Sequence, residues 1–139
     1  MEFILTHLRT ASPPQISPRR PLLPSPPAPQ LPLNPVIYLT TIVDSVAPLL
    51  KLKSQKGIAG GGASVNVPIP LRVRQRRRAA IKWIIDASDK RRDTTFALRI
   101  ANELIAVAEG RGGAWEKKEH TNKLAVAARM NVNLVPRKR

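Results

Sequence analysis

Six cations, Arg72, Arg74, Arg76, Arg77, Arg78 and Lys82, fall within eleven residues, and no acid interrupts them before Asp86. A solvated helical face usually mixes signs, and cations at a helix start oppose the macrodipole. An external polyanion relieves both penalties, and the planar guanidinium matches a phosphate in bidentate fashion. The same residue types recur elsewhere. Lys90, Arg91 and Arg92 form a second cluster, and Arg111 leads into a third made of Lys117, Lys118 and Lys123. Lys51, Lys53 and Lys56 lie along a predicted strand, where they can follow a phosphate backbone. Dispersed clusters of this kind suit a structured RNA with a wide footprint better than a single groove. Only 5 residues are Phe, Trp or Tyr, so stacking on single-stranded bases is expected to be a minor contribution.

Other chemistries find no residues. There are no cysteines and 2 histidines, His7 and His120, which removes disulfides, thiolate nucleophiles and Cys- or His-rich metal sites. The glycine-rich run GIAGGGAS has no lysine after its last glycine and precedes a strand, so it does not read as a phosphate-binding loop. Asp86 and Asp89 sit three apart near Lys82 and Lys90, and an Asp86–Lys90 pair one helical turn apart is the expected use of that spacing. No constellation for an enzyme remains, and no cofactor or metal is expected.

The chain has 139 residues and a formal net charge of +15. Residues 1–50 contribute 3 basic and 2 acidic residues, and residues 51–139 contribute 21 and 7, so the polyanion-binding part lies in the last two thirds. Ten of the 14 prolines fall between Pro13 and Pro35. That segment is expected to be extended and polyproline-like, not packed as a helix: a flexible linker or a stretch lying across another surface, with order only on binding as the plainest reading. Before it, MEFILTHLRT suits a short helix, and its one acid and single arginine do not read as a mitochondrial presequence. No apolar run is long enough to span a bilayer.

These segments must position the cations. Asn34 and Pro35 open a helix over about 35–47 with Val36, Leu39, Val43 and Val46 on one face and Ile42 beside them; Pro48 stops it. Leu50 and Leu52 alternate with Lys51 and Lys53. Val65, Val67, Ile69, Leu71 and Val73 alternate with polar residues and with Pro68 and Pro70. Together they predict a hairpin over about 49–73 with a glycine-rich tip, which must lean on helices or on a partner. A helix over about 74–90 carries Ile81, Ile84, Ile85 and Ser88 on one face. The next is capped by Asp93 or Thr94, carries the stripe Ala97, Ile100, Ala101, Leu104, Ile105 and Ala108, and ends at Gly110. A last helix over about 114–131 turns Leu124, Ala127 and Ala128 inward, ahead of a basic tail, VPRKR. The expected fold is mainly α: a helical bundle with a protruding two-stranded β-hairpin arm and a proline-rich N-terminal segment. Its expected divisions are 1–33 and 34–139.

Residues 61–69, 78–83 (broadly), 97–104 and 117–125, with His120 near the family's histidine, correspond in order, with matching gaps between them, to a hairpin of the G-G-x-x-x-x-V-P-V kind, an R-x-x-A-x-x-W helix, an A-L-R-L-A-N-E-L helix and a K-K-R/E-x-x-H-x-M/L-A helix. Over about residues 34–131 the chain resembles the universal small-subunit ribosomal protein seven family. The proline-rich stretch and RQRRR look like its fungal mitochondrial branch. The resemblance implies a protein of the mitochondrial ribosome that binds the three-prime major domain of small-subunit rRNA and organises the head. The implied neighbours are head and platform proteins, and tRNA and mRNA near the exit site, with no membrane partner. The family has two further helices and a basic arm before the position of residue 34. Here that region is either reworked or cut short. The competing reading is an architectural DNA-binding protein with a basic β-ribbon arm; prolines at the ribbon's base, not its tip, argue against wedge insertion.

Overall fold

The computed structural model describes residues 1–23, 28–58 and 60–134; the basic tail at 135–139 lies outside them. The chain runs α1 (Glu2–Thr10), a 3-10 turn (Ala28–Leu33), α2 (Pro35–Val46), β1 (Leu50–Lys56), β2 (Ser64–Pro70), α3 (Val73–Ser88), α4 (Phe96–Ala108), α5 (Gly113–Ala127) and a closing 3-10 turn (Arg129–Leu134). Among the described residues no helix is long and apolar enough to cross a membrane. The core collects Ile4 and Leu8 from α1, Tyr38, Ile42 and Val46 from α2, Ile84 from α3, Leu104 and Val107 from α4, and Trp115 from α5.

Local chemistry sets the helix ends. The Asn34 side chain accepts the Ile37 N–H at 3.2 Å, with Pro35 in the first turn, so α2 starts where expected. Its buried face is rotated from the expected one. Tyr38, Ile42, Val43, Ser45 and Val46 point inward, while Val36 is 59% exposed. An aromatic ring removes far more apolar area from water than a valine does, so Tyr38 sets the phase. The cap of α4 is Thr95, not Asp93 or Thr94: its hydroxyl accepts from the Leu98 N–H, and Asp93 instead accepts from the Asn102 amide. On α4 the stripe is as expected, with Ala101, Leu104 and Ala108 buried and Ala97, Ile100 and Ile105 packed at its margin. On α3, Ala80, Ile84 and Ser88 are buried while Ile81 is 47% exposed.

The α-helical part of α5 ends at Ala127, and the last turn tightens to 3-10. Leu124 and Ala127 do not face inward. Ala114, Trp115, Ala125 and, as expected, Ala128 are buried, whereas Leu124 and Ala127 line an open groove beside the ribbon. The indole N–H of Trp115 donates to the Val107 carbonyl at 2.8 Å, which fastens the start of α5 to α4.

The described part of the proline-rich segment lies across the helical body, the second of the two readings its composition allows, and is not left loose until a partner binds. Pro14 is buried, Leu31 is 1% exposed within the core, and the prolines at 29 and 32 sit in a 3-10 turn. Arg20 fastens the segment: its guanidinium makes two bonds to Glu119, at 2.7 and 2.9 Å, and a third to the Gly110 carbonyl at 3.0 Å. Gly110 has φ +78°, and a Cβ there would come within 2.6 Å of the Ser17 Cβ, so the segment's close approach requires glycine.

β1 and β2 pair antiparallel from Leu50↔Pro70 to Lys56↔Ser64, with Pro68 opposite Leu52. The root of this ribbon leans on the body: β1 packs on α5 and β2 on the closing 3-10 turn, where the Asn131 amide donates to the Asn66 carbonyl at 2.9 Å. The tip is free, with nothing within 4 Å of where a Cβ would stand on Gly57, Gly60, Gly61 or Gly62.

Candidate nucleic-acid interface

The fold sorts the basic residues into two kinds. Arg74, Arg78 and Lys82 follow one another at helical spacing along one exposed face of α3, with Arg72 at its start. Lys51, Lys53 and Lys56 are exposed on β1. Lys90, Arg92 and Lys123 are exposed on the helical body. None of these ten has an acidic partner among the described residues.

The other six are engaged inside the protein. Arg77 grips Asp44 on α2 with two bonds of 2.7 and 2.9 Å. Arg76 donates through Nε to the Pro48 carbonyl at 3.1 Å, and the Lys118 ammonium donates to the Ser45 carbonyl. Both cations thereby satisfy carbonyls at the end of α2, where the helix dipole favours positive charge. Lys118 also lies over the Trp115 ring, 5.3 Å from its centroid. Burial, and then the neighbouring Arg76, hold the Lys118 pKa below its ordinary value. Arg91 pairs at 2.8 Å with Glu103, which is buried. Arg111 pairs with Glu109. Lys117 takes Asp86 at 3.2 Å, in place of the expected Asp86–Lys90 pair.

The ribbon and α3 meet at an open cleft of about 400 Å³. Leu50, Leu52 and Trp83 form its apolar lining, and Lys51, Arg78 and Lys82 supply its charge. No carboxylate lines it. Local reading missed this association because its residues come from β1, α3 and α5, and no spacing within one segment signals it. A second cavity, of about 500 Å³, holds His120 with Asp86, Glu103 and Glu116, and also Lys90 and Lys117. Among the described residues no group of acidic, His or Cys side chains is arranged to hold a metal ion.

The structure thus combines a helical body with a β-ribbon that carries exposed lysines. The family model for ribosomal protein S7p/S5e matches residues 28–129. The chain therefore belongs to the ribosomal protein S7p/S5e family, whose members are structural and not enzymatic. It is 50% identical over 139 residues to the small ribosomal subunit protein uS7m of Neurospora crassa, covering 96% of this chain and 45% of that protein. That alignment takes in the proline-rich segment and sets the chain in the fungal mitochondrial branch. It is 37% identical over 95 residues to uS7 of Acinetobacter baumannii, covering 68% of this chain and 59% of that one. With uS7 of Francisella philomiragia the identity is 39% over 94 residues, covering 68% and 58%. The chain spans about half the length of the curated relatives it matches.

Proposed function

We propose that the protein is a structural component of the small subunit of the mitochondrial ribosome and binds the three-prime major domain of its rRNA, organising the head near the exit tRNA site. The observation that carries this reading is the run of cations with no acidic partner among the described residues, from Lys51, Lys53 and Lys56 on the ribbon to Arg74, Arg78 and Lys82 on α3. Such a surface neutralises successive phosphates at an angle set by the docked ribbon root. The names of the relatives, small ribosomal subunit proteins from a fungus and from bacteria, support the same assignment. In this reading Lys90, Arg92 and Lys123 extend the footprint, neighbouring head and platform proteins pack alongside, and the glycine tip of the ribbon reaches toward tRNA and mRNA.

Binding to a transcript of the three-prime major domain tests it, with an equal-length duplex DNA as competitor. Tight binding to the transcript, and co-sedimentation with small subunits that survives moderate salt, is the expected result. Equal affinity for the DNA would favour a DNA-binding arm and overturn the ribosomal assignment.

A further inference from the structure

We propose that the cleft at the ribbon root is a socket for one unpaired nucleotide of the bound RNA, its base against Trp83 and its phosphates on Arg78 and Lys82. The proposal rests on the RNA-binding reading and adds to it a site with a shape and a base requirement. The cleft's volume of about 400 Å³ falls in the range of small-ligand pockets. Leu50 and Leu52 of β1 and Trp83 of α3 line it together, which gives it an apolar lining suited to a flat ring. Its charged groups, Lys51, Arg78 and Lys82, are all cationic.

An apolar slot with a cationic rim wants a ligand that is planar and apolar at one end and anionic at the other, and a nucleotide is built that way. Two polar groups can meet a base edge. Gln75 uses its side-chain oxygen on the Arg72 N–H, at 3.1 Å, which leaves its amide N–H groups for a ligand acceptor. Thr121 gives its hydroxyl proton to the Lys117 carbonyl, which leaves its oxygen lone pairs for a ligand donor. A base in an intact duplex is stacked on both faces and cannot enter, so the occupant is a nucleotide from a loop, bulge or strand end. An acidic peptide would satisfy the cations but leave the apolar lining of Trp83 and the leucines uncovered.

The two tryptophans make the test direct. Trp115 is 5% exposed and hydrogen-bonded in the core, whereas Trp83 is partly exposed at the cleft. The full chain is titrated with oligoadenylate pentanucleotide, with the same pentanucleotide carrying one central abasic site, and with a short RNA duplex. Tryptophan emission and affinity are both read. The intact pentanucleotide is expected to quench emission, and the abasic one to quench less and bind more weakly. Trp83→Leu should abolish the quench and weaken pentanucleotide binding by about fivefold to hundredfold, while duplex affinity changes little. If Trp83→Leu does not fold, the intact-versus-abasic comparison on the unaltered protein decides alone. Salt-sensitive binding of all three RNAs with equal affinity and no change in emission would overturn the socket and leave the RNA-binding reading standing. Absence of RNA binding even in low salt would overturn both. A glutamate pentapeptide that displaces the pentanucleotide at lower concentration than free pentanucleotide does would reassign the cleft to an acidic peptide.

Discussion

Replacing Arg74, Arg78 and Lys82 together by alanine should separate RNA affinity from stability. All three are exposed on α3 and have no acidic partner among the described residues, so their removal breaks no ion pair in the fold. Each phosphate contact contributes roughly 0.7 to 0.9 to the slope of log affinity against log salt. Three lost contacts should flatten that slope by about 2 to 3. The seven free cations of the ribbon and α3, namely Lys51, Lys53, Lys56, Arg72, Arg74, Arg78 and Lys82, set a ceiling near about −5 to −6 for the unaltered surface. Arg76→Ala, two residues away from Arg74 and Arg78, should behave in the opposite way. It leaves the half-buried Pro48 carbonyl without its 3.1 Å partner, at a cost of about 1–2 kcal/mol, and should lower Tm while leaving the slope nearly intact. Filter binding of the rRNA transcript across a salt series, with thermal melts of each variant, reads both quantities. If Arg76→Ala flattens the slope as much as one α3-face substitution does, or if the triple variant melts several degrees lower, the division between free and engaged cations is wrong.

Leu104→Ala should cost about 2–5 kcal/mol in chemical denaturation, since Leu104 is 2% exposed at the centre of the α4 stripe. The Tyr38 hydroxyl is buried, and that burial pushes its pKa from 10.0 to about 12. The unfolded chain loses this proton first, so stability is full below pH 10 and falls by up to roughly 3 kcal/mol as pH rises from 10 toward 12; Tyr38→Phe should remove that step from an alkaline denaturation series. Glu119 is held below its ordinary carboxylate value by its hydrogen bonds from Arg20. The contribution of this pair is therefore present above pH 4.5 and lost as pH falls through the lowered value, so Tm should drop there in an acid melting series; Glu119→Gln should lower Tm at neutral pH and remove that acid step. Deleting residues 58–62 and closing the strands with an Asn-Gly turn should leave Tm nearly unchanged, because open space surrounds the Cβ positions of the tip glycines; a large loss of Tm would make the tip part of the folded body.

The helices were legible where an aliphatic stripe dominates, as on α4, where every stripe residue lies at or beside the core. They were misphased where one large aromatic side chain outweighs several small ones, as with Tyr38 on α2. The hairpin followed from strict alternation and from prolines that fit the edge of a two-stranded ribbon. The proline-rich segment was misread because composition reports what a chain does alone. Leu31 and Arg20 succeed by finding partners supplied from far along the sequence, Glu119 being 99 residues from Arg20.

The same limit governs the site. A run of cations was visible as a run, but which of them are free depends on where the acids lie after folding. Asp44 is 33 residues from Arg77, and no count of neighbours pairs them. Of the 9 acids, Asp44, Asp86, Glu103, Glu109 and Glu119 are consumed in ion pairs on the helical body, and Asp93 in a hydrogen bond there. None falls between Asp44 and Asp86, the span that builds the ribbon and the first turns of α3. The fold thus uses its acids to hold its helices together and leaves one side with cations alone. A cation on that side has no internal partner to leave when a phosphate arrives, whereas Arg77 must first give up Asp44. The phosphate-binding strength of each arginine is therefore set by what the acids are doing elsewhere in the molecule, which is why the outer face of α3 and not the densest part of the basic run should carry the RNA.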